Sequence, residues 1–159
     1  MIISSLQEFY SFCEMNKPLL AIDYGNKKIG LAISSPDHTI AMPHSIIFAS
    51  KEQEKLNKIT DFITKHKICA IVVGLPINMD GSNSEQTKIV VNFVNKLANR
   101  ITLPIYLQDE RLTSKAADSL LKNMGLNRKQ RNERDDMTAA SMILETTLES
   151  AKKLQLKGS

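Results

Sequence analysis

Leu19-Leu20-Ala21-Ile22-Asp23-Tyr24-Gly25-Asn26-Lys27-Lys28-Ile29-Gly30-Leu31-Ala32-Ile33-Ser34 decides the fold. Apolar residues fill Leu19 to Tyr24 and return from Ile29 to Ser34, the composition of two strands. Between them Gly25-Asn26-Lys27-Lys28 is a turn, because glycine and asparagine tolerate backbone conformations that other residues resist. The stretch is therefore a β-hairpin with one anomaly, the carboxylate of Asp23. A charge buried in a strand without a partner costs several kcal/mol, on the order of 2–7 even for an uncharged polar group. Asp23 must face solvent, hydrogen-bond the turn, or hold a cation at the functional edge of a sheet.

Outward from the hairpin the periodicity changes. A third, shorter strand is expected around Ser45 to Ala49, after the breaks at Pro36 and Pro43. Glu52 to Lys65 follows a helical period, with Leu56, Ile59, Phe62 and Ile63 on one face. Ile68 to Val73 is near-continuously apolar and ends at Gly74, the pattern of a central parallel strand covered on both faces. Ser84 to Arg100 reads as a helix, Leu103 to Leu107 as a strand running into Gln108-Asp109-Glu110-Arg111, and Thr113 to Met124 as a helix closed by Gly125. The last helix is expected to begin at Asp135 or Asp136 and to end in a charged tail carrying Lys152, Lys153 and Lys157. Before Pro18, Leu6 to Met15 is amphipathic and reads as a helix or an ordered arm. Strands first, then alternating helices and strands, predict an α/β fold with a mixed sheet flanked by helices. The domain boundaries expected are 1–18 for an N-terminal extension, 19–150 for the α/β domain, and 151–159 for the tail.

Composition narrows the function classes. The chain has 159 residues, 42% of them hydrophobic, enough for one domain with a real core. Its apolar runs are too short for a membrane span and its first residues do not read as a secretory signal. Cys13 and Cys69 form no pair or cluster of zinc-ligand spacing. His38, His44 and His66 read as surface or local hydrogen-bonding residues. The Ser34-Ser35 pair lacks the context of a nucleophile, and Gly74-Leu75-Pro76 is not a nucleotide-binding P-loop. The net charge is +4. That balance tolerates a nucleic-acid partner, and its distribution matters more: Arg128, Lys129, Arg131 and Arg134 crowd ahead of Asp135 and Asp136.

Three carboxylates stand out by position. Asp23 lies at the end of the first strand, Glu110 just past the strand from Leu103 to Leu107, and Asp136 at the expected start of the last helix. Small residues at Ala139 and Ala140 would let that helix approach the sheet and bring Asp136 towards the other two. Converging carboxylates hold hard cations such as Mg2+ or Mn2+, which leave coordination positions for water and phosphate. Phosphodiester hydrolysis is the chemistry such a centre serves. Asp109, Glu133 and Asp135 are neighbouring acids whose place the spacing leaves open. Lys27, Arg111, Arg128, Lys129, Arg131 and Arg134 are the candidates for binding a nucleic-acid backbone, a contact that weakens with salt. Arg111 has an alternative as the partner of a neighbouring carboxylate.

Four blocks carry a family likeness. Ala21-Ile22-Asp23-Tyr24-Gly25-Asn26-Lys27-Lys28-Ile29-Gly30-Leu31-Ala32 resembles the opening of the bacterial pre-16S rRNA nucleases, a family also called Holliday junction resolvases. Val73-Gly74-Leu75-Pro76-Ile77-Asn78-Met79-Asp80-Gly81 resembles their central loop. Asp109-Glu110-Arg111-Leu112-Thr113-Ser114 is similar to the second acidic motif, and the stretch from Asp136 to Glu145 falls where the third belongs. The resemblance covers about Leu19 to Leu148. It implies a ribonuclease-H-like fold and a metal-dependent nuclease with Asp23, Glu110 and Asp136 as catalytic and metal-binding residues. It further implies a cytoplasmic role in maturing the 5′ end of precursor 16S rRNA, with a ribosomal precursor particle as partner. A Holliday junction resolvase acting on branched DNA, and a non-catalytic nucleic-acid-binding or ribosome-assembly factor, are the alternatives. A resolvase favours a homodimer, whereas trimming of rRNA is open to a monomer. Asp135 stands where the family carries an aliphatic residue, and the segment before Pro18 is longer than the family pattern.

Overall fold

The computed structural model describes the backbone of residues 1–111 and 128–158 and the side chains of residues 1–111 and 139–154. Six strands form one sheet: β1 (Ile2–Ile3), β2 (Leu19–Tyr24), β3 (Lys28–Ser34), β4 (Ala41–Phe48), β5 (Ala70–Leu75) and β6 (Ile105–Asp109), in the order β1-β6-β5-β2-β3-β4. The first four positions in that order are mutually parallel, and β2-β3-β4 run antiparallel. The described helices are α1 (Leu6–Ser11), α2 (Glu52–Lys65), α3 (Glu85–Ala98) and α4 (Arg128–Gly158). This is the mixed α/β sheet with helices on its faces that the sequence order predicts.

Strand alternation sorts the sheet into two unlike faces. Leu20, Ile22, Ile29, Leu31, Ile71, Val73 and Ile105 pack against Leu56, Ile59 and Ile63 of α2 and Val90, Phe93, Val94 and Leu97 of α3. Leu19, Ala21, Ala32, Ala70 and Val72 face Ala140, Ile143, Leu144 and Leu148 of α4. Each large side chain buried in this way stabilises the fold by about 1.5–3 kcal/mol. α3 starts on a capping box, in which Ser84 and Thr87 satisfy each other's backbone amides. The Thr87 hydroxyl also donates to the Pro76 carbonyl, which ties the loop after β5 to the helix.

Several boundaries move from the sequence expectation. β4 spans Ala41–Phe48 rather than the shorter stretch from Ser45 to Ala49, and runs straight through Pro43. An edge strand tolerates proline because its outward amide has no ladder partner to lose, and a register shift at Leu31/Ala32 accommodates the misfit. β5 takes in Gly74, and β6 continues to Asp109. α4 is already helical at Arg128, so the basic residues ahead of Asp136 lie on a helix and not in a loop. The helix expected from Thr113 to Met124 lies outside the described residues. The segment before Pro18 supplies β1 and α1: Ile2 and Ile3 pair with Ile105 and Tyr106, and Phe9 is fully buried against the Tyr106 ring with centroids 5.5 Å apart. At the other end α4 continues to Gly158, with Ala151 buried and Lys152 and Lys153 exposed, while the side chain of Lys157 lies outside the described residues.

Candidate metal centre

Asp23 occupies the penultimate position of β2, opposite Gly30 of β3, and shares a face with Leu19 and Ala21, the face that α4 covers. The parallel register sets Ile22 beside Val73 and Gly74 beside Gln108. The Glu110 amide donates to the Leu75 carbonyl at 3.1 Å, so Glu110 extends the ladder by one step beyond β6. The carboxyl ends of β2, β5 and β6 therefore come level, and Asp23, Gly74 and Glu110 line one edge. Ligands collect at this edge in open α/β sheets.

Contact follows from register. The Glu110 carboxyl is hydrogen-bonded to that of Asp23. Burial pushes the Glu110 carboxyl above the ordinary carboxylate range, the Asp23 hydrogen bond pulls it back, and the nearby Asp109 charge pushes it up again. Gly74 is the floor under this group. A Cβ built there would stand 2.7 Å from Glu110 Cδ, 2.8 Å from Glu110 Oε1 and 2.5 Å from Ile143 Cδ1. Such separations are overlaps, so no side chain fits at position 74 unless both the Glu110 carboxyl and the end of the Ile143 side chain shift.

Asp109 takes a different role. Alternation turns it away from Glu110, and its carboxylate accepts the Arg111 amide at 2.9 Å, Nε at 2.9 Å and Nη2 at 2.6 Å. The Arg111 hydrogen bonds hold Asp109 below the usual carboxylate range. Arg111 thus pairs with Asp109 and not with Glu110. Both are partly exposed, so the fork adds little to stability and leaves the guanidinium edge open. Above it the loop after β5 closes through an Ile77–Asn83 bridge, and Asp80 accepts from the Ser82 amide at 2.9 Å. Gly81 in that loop has φ of +90°, a conformation that suits glycine, and lies beside Arg111.

The structure thus brings Asp23 and Glu110 together. The side chain of Asp136, like those of Arg128, Lys129, Arg131 and Arg134, lies outside the described residues, although the backbone of all five is part of α4. Among the described residues no group of three or more acidic, histidine or cysteine side chains gathers to hold a metal. Lys27 is exposed in the hairpin turn, its carbonyl accepting the Ala49 amide at 3.1 Å. Gly25 is required there, since a Cβ would collide with the Lys28 carbonyl. The histidines stand apart from the centre. His38 is buried rather than superficial, its Nε2 2.7 Å from the Lys17 carbonyl, and His44 and His66 pack around Phe62.

Three features lie outside the expectations drawn from the sequence. Gly74 sits inside a strand under a carboxyl, where the sequence places it at the entry to a loop. Gln108 and Thr147 meet across 39 positions, the Thr147 hydroxyl donating to Gln108 Oε1 at 3.0 Å. Lys55 is nearly buried, with Nζ 3.2 Å from Tyr24 Oη, 3.3 Å from the Gly25 carbonyl and 4.8 Å above the Tyr24 ring. Lys55 adjoins Leu56 and precedes Ile59 by four residues, so helical spacing alone puts it on the buried face of α2.

Sheet order and acidic edge define a protein of the ribonuclease-H-like α/β class. Within that class the chain belongs to the RuvX family, described as Holliday junction resolvase, which it matches over residues 17–150. It is 53% identical over 154 residues to a Rickettsia felis protein assigned as a pre-16S rRNA nuclease, covering 97% of this chain and 100% of that one. A Rickettsia conorii protein of the same assigned name matches equally. Coverage of 97% leaves too few residues outside the alignment to omit the segment before Pro18, so these relatives share most of it. The fold also resembles the crystal structure of the fowlpox virus Holliday junction resolvase, with a TM-score of 0.54 and 14% identity over 84% of this chain and 99% of that one. No helix among the described residues is long and apolar enough to cross a membrane.

Proposed function

We propose that this protein is a divalent-metal-dependent nuclease that hydrolyses phosphodiester bonds of precursor 16S rRNA in the maturation of its 5′ end. The observation that carries this reading is the hydrogen-bonded pair of carboxyls, Asp23 and Glu110, held over Gly74 at the carboxyl ends of three parallel strands. Relatives assigned as pre-16S rRNA nucleases, sharing about half their residues with this chain, support the choice of substrate. Cytoplasmic action on a ribosomal precursor particle follows from that substrate.

The residues present fit Mg2+ or Mn2+. Two adjacent carboxyls repel when both are ionised, and a hard cation with a preference for oxygen relieves that repulsion. Asp23 and Glu110 would hold it. Asp136 is the third candidate, because in a helix position 136 falls on the stripe of 140, 143 and 147, and Ala140, Ile143 and Thr147 are all buried against the sheet. Such an ion, when bound, activates water and offsets the charge that builds on phosphate oxygens. The chain's own part is to leave, at Gly74, the space in which the Glu110 carboxyl lies, so that it is already oriented when substrate arrives. Lys27, Arg111 and the basic first turns of α4, with Arg128, Lys129, Arg131 and Arg134, would bind the flanking backbone phosphates without reading bases.

The test compares wild type and Asp23→Asn on precursor 16S rRNA, unstructured single-stranded RNA and a four-way DNA junction, each with Mg2+ or Mn2+. Cation-dependent cutting of the precursor by the wild type alone is the expected result. Equal residual cutting by both proteins overturns the metal-centre reading. Preferential cutting of the junction, the substrate class in the family's description, transfers the site to resolvase chemistry.

A further inference from the structure

α4 lies on the sheet mainly through apolar contact, from Ala140, Ile143, Leu144 and Leu148. Apolar contact is non-directional and by itself fixes poorly how far a helix has slid along a sheet. One group breaks that pattern. Thr147 is the only buried polar side chain of α4 among the described residues, and it is fully buried. Its hydroxyl lies 3.0 Å from the carbonyl of Ile143, one turn back, and 3.0 Å from Oε1 of Gln108. The hydroxyl has one proton, which the two acceptors share; the first contact is the ordinary back-bond of a helical threonine. The second crosses to β6, on the same face as Glu110 and two residues before it.

The two ends of this contact lead to the same place. Along β6, Gln108 is followed at the next position on that face by Glu110. Along α4, Thr147 is preceded one turn earlier by Ile143, whose Cδ1 meets the same Gly74 that underlies the Glu110 carboxyl. Helix and strand are therefore matched at two successive levels, Thr147 on Gln108 and Ile143 on Gly74 beside Glu110. A helix is stiff over two turns, so fixing these levels also fixes how far its earlier turns, including position 136, reach past the ends of the strands.

We propose that Gln108 and Thr147 are positioning residues for the acidic centre, a polar latch that sets the register of α4 against the strand carrying Glu110. The latch rests on the metal-centre reading above. It acts through the carboxylates and contacts neither cation nor RNA. A valine at 147 keeps the shape and loses the directional contact, leaving the Gln108 amide oxygen without its donor. A serine keeps the hydroxyl.

The experiment measures Mn2+ affinity by calorimetry on the full chain, and cleavage of precursor RNA in parallel, for wild type, Thr147→Val, Thr147→Ser and Gln108→Leu. Loss of an outer partner of a metal site weakens affinity by about 10–100-fold. Thr147→Val and Gln108→Leu are expected to bind Mn2+ about tenfold more weakly and to lower kcat with little change in KM, while Thr147→Ser returns to within about twofold of wild type. A merely structural threonine would shift Tm without moving the Mn2+ affinity of the folded protein, and that result overturns the latch. Tight Mn2+ binding without cleavage by the wild type removes the nuclease reading and leaves the latch to be judged on affinity alone. A wild type that binds no divalent cation removes both. Should Thr147→Val fail to fold, Gln108→Leu, at a half-buried strand position, decides by the same affinity measurement.

Discussion

The two faces of the sheet are built from different alphabets. Towards α2 and α3, successive strand positions read Leu20-Ile22-Tyr24, Ile29-Leu31-Ile33 and Ile71-Val73-Leu75, all large. Towards α4 they read Leu19-Ala21-Asp23, Ser34-Ala32-Gly30 (the antiparallel strand, taken in the same direction) and Ala70-Val72-Gly74, mostly small and ending in a carboxylate or a glycine. The first face is a packing surface whose work is stability. The second gives up apolar volume so that a helix can lie close and a half-buried carboxyl pair can sit at its end. A single sheet thus carries a packing surface of large side chains on one side and, on the other, the smaller-residue face at whose end the candidate centre lies.

That division can be broken experimentally, beginning where the effect is largest. Glu110→Gln keeps the shape of the side chain and removes its charge. Cleavage should fall by more than about a hundredfold, since even an outer partner of a metal site costs up to that much. Thermal stability should hold or rise, because burial disfavours the ionised carboxyl that the substitution removes. Next comes Gly74→Ala, which forces a methyl group into the space of Glu110 and Ile143. Cleavage should drop by about 10–100-fold, with an overpacking cost of about 1–3 kcal/mol in denaturant unfolding. Full activity in this variant would mean that the Glu110 carboxyl need not lie where it does.

The opposite face should answer in the opposite way. Ile59→Ala empties a fully buried site between α2 and the sheet, and should cost about 2–5 kcal/mol in denaturant unfolding. Cleavage per folded molecule should stay near wild type; a large loss there would erase the separation of the two faces. The smallest effect belongs to the Asp109–Arg111 fork. Asp109 has a lowered folded-state pKa, so the contribution of the pair is full above the ordinary carboxylate pKa and is lost as pH falls through the lowered value. Arg111→Gln should therefore lower Tm slightly at neutral pH and not at all in strong acid, as pH-dependent melting would show.

How much of this was legible beforehand follows the range of the interactions. The β2–β3 hairpin and α2 are local matters of period and turn chemistry, and they fall where the sequence puts them. Asp23 and Glu110 were readable because each ends an apolar strand with a charge, and strand ends converge in an α/β sheet. The extent of β4 was not readable, since proline normally breaks a strand and only an edge position forgives it. The start of α4 was missed because its first turns carry charge without an apolar stripe, although arginine, lysine, glutamine and glutamate all favour helix. Gly74 beneath Glu110 and Thr147 against Gln108 depend on register between segments far apart in the chain. No window of sequence contains that information.

Pro43 has a consequence beyond its own strand. The outer side of β4 is an open row of peptide groups, the kind of border to which a neighbouring molecule's strand could zip. A proline in mid-row removes one donor, and the irregularity beside it in the β3–β4 pairing bends the border away from flatness. The same residue that hid the strand from a sequence reading makes that border a poorer template for a neighbour's strand.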